Sequence, residues 1–448
     1  MIRMRLPKAT SLAIAAPLLC LLLTLLAAGL YNVPFIHDRL AVRVDNWRAQ
    51  VKYALNPPEQ AVFIPQSTID TALQATLQAD RAAPTATAEP SSTPTRPGVT
   101  ATPEPTPTAT ITPTALPESV RLSGVKYEHQ HNRWNYCGPA NLAMALTFWG
   151  WKGDRDVVGA AIKAAEKDKN VMPYEMEDFV DSQVEGLGAL VRQGGDIALV
   201  KRMVAAGFPV LAEKGYYEYD YNGKLGWMGH YQFITGYDEA QGVLIVQDTY
   251  RDGPDHPVAY QDFITGWRSF NYIFLMTYPL EREAEVLALL GEWADPQWAS
   301  RRALEVAQAE AQALTGVDQF FAWFNVGTSH VSLFEYFDAA IAYDYAFQLY
   351  AALPDKEMRP FRMMWYQTGP YKAYYYTNRF QDVIALADTT LRDTISEPVL
   401  EESLYWRGMA KLAVGDSDSA IRDFQDSLKW HPGFAPSLQA LTKLGIVP

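Results

Sequence analysis

The tract from Ala82 to Ser119 carries nine prolines and eleven threonines but only one Ile and one Leu, and it divides the chain before anything else is read. So little apolar surface cannot build a core, and the proline density favours an extended, partly polyproline segment. In an exported protein its Thr-Pro richness would suit O-glycosylation. Everything else about the organisation is arranged around this break.

Upstream, Met1 to Lys8 carries Arg3, Arg5 and Lys8, and a nearly charge-free run extends from Ala9 to about Tyr31. That run is long enough to cross a bilayer as a helix, and the charge ahead of it places the N-terminus in the cytoplasm. The small residues Ala27, Ala28 and Gly29 keep a cleaved signal peptide open as the alternative. In either case the remainder is exported. The expected order is a basic segment 1–8, a transmembrane signal anchor 9–31, a juxtamembrane segment 32–81 with an imperfect helical stripe from Leu40 to Leu55, and a stalk 82–119. The stalk is expected to hold the C-terminal domains away from the membrane.

A chain of 448 residues is too long for one core and implies two to four domains. Its net charge of −13 argues against a nucleic-acid partner, because phosphate binding needs a basic face. There are two cysteines, and Cys20 lies within the apolar run, which leaves Cys137 as the one thiol downstream. That excludes an internal disulfide and a four-cysteine zinc site in the body of the protein. A lone thiol there is either buried and inert or put to use.

The neighbours of Cys137 favour use. After Cys137-Gly138-Pro139-Ala140 the pattern becomes helical, with Leu142, Leu146 and Trp149 in phase and Gly150 as a stop. Pro139 suits a first helical turn, so Cys137 sits at a helix N-terminus, where unpaired N–H groups and the macrodipole favour thiolate. A nucleophilic cysteine also needs a base and a group to orient it. His230 opens an alternating run, Gly229 to Asp238, and the next run, Gly242 to Asp248, ends in a carboxylate. Paired as a hairpin, these strands make His230 and Asp248 neighbours. The plain alternatives are a satisfied strand histidine and a turn-capping aspartate.

Cys-Gly-Pro-Ala heading a helix, Gly-His heading a strand and an Asp ending the next strand resemble the C39-like peptidase family of the papain-like fold. The resemblance covers residues 120–280, with Gly207 to Leu211 as a strand before the histidine and Tyr260 to Phe263 before a final strand, Tyr272 to Met276. It implies an α+β papain-like cysteine peptidase domain that cleaves a peptide or isopeptide bond without a cofactor. Cys137 would attack, His230 shuttle the proton, Asp248 orient it, and an upstream Gln stabilise the oxyanion beside the Cys137 N–H. That Gln falls on Gln130, seven residues before the cysteine and one further than the family's usual place, where His131 stands. No Walker-type loop accompanies the domain, so the leader-trimming role of exporter-borne members does not transfer. His129 and His131 would line the cleft, with no third ligand to make a metal site. His256 is expected in a loop. So is the run Glu213 to Gly229, whose Tyr216, Tyr217, Tyr219 and Tyr221 would line the cleft or cap the sheet.

Beyond Pro279 the pattern is helical, with connecting helices over 281–315 and a degenerate repeat over 316–448. Segments beginning at Tyr336, Phe380 and Ser417 align at offsets of 44 and 37, near the tetratricopeptide length. Gly408, Gly415, Ala420, Phe424 and Pro432 resemble that family's pattern in the last copy, Gly327 and Ala339 in the first, and Tyr375 and Phe380 in the middle one. An all-α tetratricopeptide-like solenoid would bind a peptide or protein partner; a plain helical bundle is the alternative. The aromatic residues from Phe320 to Phe324 and from Tyr374 to Tyr376 read as core. The expectation for the whole is a membrane-anchored, extracytoplasmic cysteine peptidase whose repeats recruit a protein substrate. An acyl or peptidyl transferase with the same thioester chemistry and a non-catalytic scaffold are the rivals.

Overall fold

In a computed structural model the chain is described at residues 18, 21–26, 28–31, 33–66, 116–219 and 225–447. The basic segment 1–8, much of the expected anchor, residues 67–81 and nearly all of the Thr/Pro-rich tract lie outside these residues. Among the described residues no helix is long and apolar enough to cross a membrane.

One antiparallel sheet organises the first half. Its strands are β1 (Ser119–Arg121), β2 (Leu187–Arg192), β3 (Val210–Tyr219), β4 (Leu225–Asp238), β5 (Val243–Asp248), β6 (Gly253–Ala259) and β7 (Phe274–Pro279). They run β2-β7-β3-β4-β5-β6, with β1 paired to β4. Helix α1 (Pro34–Leu55) precedes the sheet in sequence. Within the sheet domain come α2 (Cys137–Phe148), α3 (Arg155–Ile162), α4 (Pro173–Gln183), α5 (Ile197–Ala205), α6 (Tyr260–Arg268) and α7 (Glu283–Leu290).

Side chains alternate across a strand, and here both faces are covered. Leu211, Tyr231, Phe233 and Leu275 pack with Leu142 and Leu146 of α2 and Phe179 of α4. Val210, Ala212, Ile234, Phe274 and Met276 pack on the other side with Leu199 of α5, Trp267 of α6 and Val286 of α7. The sheet is therefore a buried middle layer, consistent with the α+β expectation.

Several local expectations are corrected. The run expected as a loop, Glu213 to Gly229, is strand on both sides, since β3 pairs with β4 from Val210↔Ile234 out to Tyr219↔Leu225. Glu213 and Lys214 are polar yet buried, which masks the strand period. Tyr260 to Phe263 opens helix α6. His256 lies in β6, paired with Val246, and not in a loop. Asp252-Gly253-Pro254 reads as a turn, but β6 is the edge of the sheet, where Pro254 and Pro257 cost no ladder bond on the outer side.

The second half contains α8 (Pro296–Ala313), α9 (Gly316–Ser332), α10 (Tyr336–Ala352), α11 (Met363–Tyr366), α12 (Gly369–Tyr376), α13 (Phe380–Thr389), α14 (Glu401–Ala413), α15 (Ser417–Trp430) and α16 (Ala435–Lys443). The three aligned segments each begin a second helix, at Tyr336, Phe380 and Ser417. Two residues before each stands one left-handed residue: Phe334 (φ 63), Asn378 (φ 61) and Gly415 (φ 89). The same tight turn thus recurs at the same place in all three pairs. Small residues let the partners close: a Cβ on Gly408 would stand 2.7 Å from the Phe424 ring. The aromatic residues are mostly core, as read from sequence, with Phe320, Phe321, Phe324 and Tyr374 buried together.

The two halves share that core. Trp227 of β4 stacks on Phe270 with centroids 5.6 Å apart and meets Phe321 and Tyr366 of the helical half. Arg268, buried at the end of α6, pairs with Glu310 of α8 at 2.9 Å and Asp318 of α9 at 3.1 Å. Residues 34–66, unassigned in the sequence beyond a helical stripe, lie against the helical half. Lys52 donates to the Ile395 carbonyl at 2.6 Å, the Gln66 N–H to Asp382 at 2.7 Å, and the Phe63 ring meets Phe347 at 5.0 Å. The described residues on either side of the Thr/Pro-rich tract therefore both pack into the fold.

Arg268 carries the prediction here. Arg268→Ala would leave Glu310 and Asp318 without their shared cation in a largely dry seam, at a cost of about 3 kcal/mol. Urea denaturation of wild type and variant measures it; equal midpoints and slopes would mean the seam does not depend on this residue.

Candidate active site

Cys137 is the first residue of α2, and the residue before it, Tyr136, provides no side-chain cap. The first turn of α2 therefore has no side chain competing for its N–H groups. What brings a base to this point is the unequal length of β4 and β5. The two strands pair through Phe233↔Gln247, and β5 ends one residue later at Asp248. Beyond that the edge of β4 is free, and the head of α2 takes the place of β5. The Tyr231 carbonyl accepts from the Asn141 amide of that helix at 2.9 Å.

His230 and Gln232 lie on the face of β4 that Asp248 shares across the strand pair. The Asp248 carboxylate accepts from His230 Nε2 at 3.2 Å, from Gln232 at 2.7 Å, and from the N–H groups of Tyr250 and Arg251 at 2.9 and 2.8 Å. With Nε2 committed to Asp248, Nδ1 is the ring nitrogen left for the Cys137 thiol, whose charge helps to raise His230. The three residues singled out in the sequence, Cys137, His230 and Asp248, are thus brought together, with His230 bonded to Asp248 and lining one cavity with Cys137. His230 and Asp248 are buried, while Cys137 is half-buried at the cavity floor.

The charges result from these contacts. Burial opposes ionisation of Asp248, but the His230 bond, its charge, the Arg251 N–H and Gln232 hold its carboxyl well below the usual carboxylate range. Burial also lowers His230, yet the bonds to Asp248 and Cys137 prevail and raise it to about 9. Burial raises the Cys137 thiol, while the His230 bond and charge and the N–H groups of Tyr231 and Gly138 outweigh it and leave it below an ordinary thiol. The three shifts agree on one state, thiolate beside imidazolium beside carboxylate.

Gln130 lines the same cavity as Cys137 and His230. Its N–H donates to the Thr249 carbonyl at 2.8 Å, and its side-chain oxygen accepts from the Thr249 hydroxyl at 2.8 Å. With the oxygen so held, the amide NH2 is the part of the carboxamide left for the cavity. Thr249 in turn lies 3.4 Å from the Asn141 amide, which also donates to the Cys137 carbonyl at 2.8 Å. His129 and His131 do not line the cavity. They stack on each other at 5.2 Å, His129 against Arg155 and His131 against the Tyr250 carbonyl. Tyr216 does line it, whereas Tyr217 bonds the Met358 carbonyl, Tyr219 is exposed, and Tyr221 lies outside the described residues.

Sequence reasoning missed Asn141, Thr249 and Gln232. Only Asn141 left a signal, as the one amide in an otherwise apolar stretch of helix, four residues from the cysteine. Glu213 was missed as well. It is fully buried opposite Tyr231 in the β3–β4 pair, and one of its carboxyl oxygens has no hydrogen bond among the described residues. The Tyr231 hydroxyl opposite it gives its proton to the Val171 carbonyl at 2.8 Å. Burial, and then the charge of Cys137, push Glu213 well above its ordinary value, against the lowering effect of Tyr231.

Residues 122–273 match the model of the Peptidase_C39 like family. A crystal structure of a C39-like peptidase from Bacillus anthracis is 18% identical, covers 36% of this chain and 98% of that one, and superposes with a TM-score of 0.30. No curated protein matches. The family match supports a cysteine peptidase at the level of the sheet domain and does not extend to the helical half.

Glu213 sets a pH prediction. An unfolded Glu releases its proton near pH 4.3, whereas the folded group keeps it, so wild-type stability falls as pH rises above that value. Glu213→Gln removes the penalty, and its advantage should widen by up to about 1.4 kcal/mol per pH unit above pH 5. Urea midpoints at several pH values test this; a constant difference would show that Glu213 is ionised in the fold.

Proposed function

We propose that the chain is a membrane-anchored, extracytoplasmic cysteine peptidase that hydrolyses a peptide or isopeptide bond through Cys137, His230, Asp248 and Gln130. The observation that carries this is the buried His230–Asp248 hydrogen bond lining the same cavity as the Cys137 thiol at an uncapped helix N-terminus. The family match over residues 122–273 supports it.

In this mechanism the Cys137 thiolate attacks the carbonyl carbon and the negative charge moves to the carbonyl oxygen. The Gln130 NH2 and the Cys137 N–H receive that charge. The bond to the nitrogen then breaks, and His230 delivers its Nδ1 proton to the departing amine, leaving a thioester on Cys137. Water attacks the thioester while His230 takes its proton, and the acid leaves as the thiolate–imidazolium pair re-forms. Asp248 keeps Nε2 protonated throughout and so fixes which nitrogen faces the sulfur. We read the three helix pairs as tetratricopeptide-like and assign them the recruitment of a peptide or protein substrate. The recurring left-handed turn at Phe334, Asn378 and Gly415 supports that reading.

Iodoacetamide labelling of Cys137 in the full chain, followed peptide by peptide by mass spectrometry, tests the ion pair. Labelling should already be fast well below the free-thiol pKa of about 8.5. A second change is expected near pH 9, where His230 loses its proton. In His230→Ala the early phase should vanish. Slow labelling with an unshifted profile would sink the peptidase reading and leave a scaffold.

Gln130 separates catalysis from reactivity. Gln130→Ala should cut hydrolysis of a fluorescent peptide pool by about 10²–10³-fold while iodoacetamide labelling, which forms no oxyanion, stays near wild type. Equal losses in both would assign Gln130 to holding the loop.

A further inference from the structure

The space above Cys137 does not end with the sheet domain. A cavity of about 1040 Å³ over the thiol meets a second of about 380 Å³, and the two share Trp134, Asn135, Lys169, Met228 and Tyr366 as a common wall. The far side of the second is built by α1, through Asp45 and Arg48, and by the helical half, through Arg362 and Glu397.

The charges of this continuous cleft do not cancel. Asp45 and Glu397 are both taken by Lys167, at 3.0 and 2.8 Å. Lys163 gives its ammonium protons to the carbonyls of Trp134, Glu166 and Asp168, and Arg362 donates to the Trp227 carbonyl. Neither has a carboxylate at ion-pairing distance among the described residues. Lys169 goes further: its Nζ makes no hydrogen bond there at all and stands 5.7 Å from the centre of the Trp134 ring. Burial, set against Glu397 and reinforced by Lys163 and Lys167, draws its pKa down to about 8. An ammonium with no protein acceptor on a cavity wall is odd in a chain with a net charge of −13.

We infer that this cleft takes a peptide bearing a carboxylate, which Lys169 receives on the wall between the two cavities while Cys137 faces the bond to be cut. The inference rests on the peptidase reading above and adds a substrate class to it. A carboxylate at Lys169 would supply the missing acceptor in surroundings where an ion pair is screened less than at an open surface. Lys163 and Arg362 contribute field of the same sign, against which Glu166 stands in the first cavity and Glu397 in the second. The carboxylate can belong to an acidic side chain or to a chain terminus.

The test reads binding without turnover, by calorimetry on the full chain carrying Cys137→Ala. Three short peptides serve as probes: a Glu-containing one with an amidated C-terminus, its Gln counterpart, also amidated, and the Gln counterpart with a free C-terminal carboxylate. At low salt at least one carboxylate peptide should bind about tenfold tighter than the amidated Gln peptide, and which one does so identifies the source. The preference should shrink with added salt, disappear in Lys169→Met and reverse in Lys169→Glu, with thermal unfolding confirming that each variant is folded. Equal affinity for all three peptides, no binding of any, or a preference that survives Lys169→Met overturns the inference. Iodoacetamide labelling of Cys137 in the otherwise wild-type chain reads the peptidase proposal separately, so a reactive thiol beside a charge-blind cleft would sink this inference alone.

Discussion

The carboxylate of Asp248 is the group on which the rest of the site depends. Four donors converge on it: His230, Gln232 and the N–H groups of Tyr250 and Arg251. A carboxylate so satisfied stays ionised in spite of burial. An ionised Asp248 keeps His230 charged, and a charged His230 lowers the thiol. The sign of every charge in the cavity floor is thus inherited from one strand end, and that end exists because β5 stops while β4 continues. The shortened strand does two tasks at once, since the same edge of β4 receives the head of α2.

Much of this was legible in the amino-acid order because it is local. A helix start after Cys137 and alternation in two successive runs are written within a few residues each, and together they place Cys137, His230 and Asp248. Gln130 was legible only through the resemblance. Its position depends on a bond to Thr249, which no period or spacing announces. Asn141, Thr249 and Gln232 act on backbone or on each other across long sequence separations, and such contacts leave little trace in composition. Buried Glu213 and Lys214 break the alternation of β3, so the strand reads as a loop. The prolines of β6 hide an edge strand in the same way. The contact of residues 34–66 with the helical half left no signal, for two surfaces that fit do not share a pattern.

The helical half is more than an appendage to the sheet domain. Gly229, next to His230, has no room for a side chain, since a Cβ there would stand 2.7 Å from Phe270 and 3.0 Å from Tyr366. The helical half therefore reaches the residue adjoining the base, and Tyr366 lines the cavity over the thiol. Buried contacts of this kind tie the geometry of the cleft to the seam carrying Arg268. Relative motion of the halves would change the cleft before it changed the Cys137–His230 pair, because the latter is built wholly within the sheet domain.

The connection that carries the Thr/Pro-rich tract leaves the described fold at Gln66 and re-enters it near Pro117, and both flanking points are fastened. The Gln66 N–H is held by Asp382, and the Pro117 carbonyl accepts from the Tyr237 hydroxyl at 2.9 Å. Such a connection closes a ring, and the entropy of closing it grows only slowly, by about 0.6 kcal/mol for each doubling of length. The connection can therefore lengthen or shorten at little thermodynamic cost. A protease that cut it would open the ring without freeing either piece, because helix α1 and the segment through Gln66 would remain held by the contacts of Lys52, Phe63 and Gln66. The molecule would persist as a nicked, non-covalent pair of fragments with its cleft wall still in place.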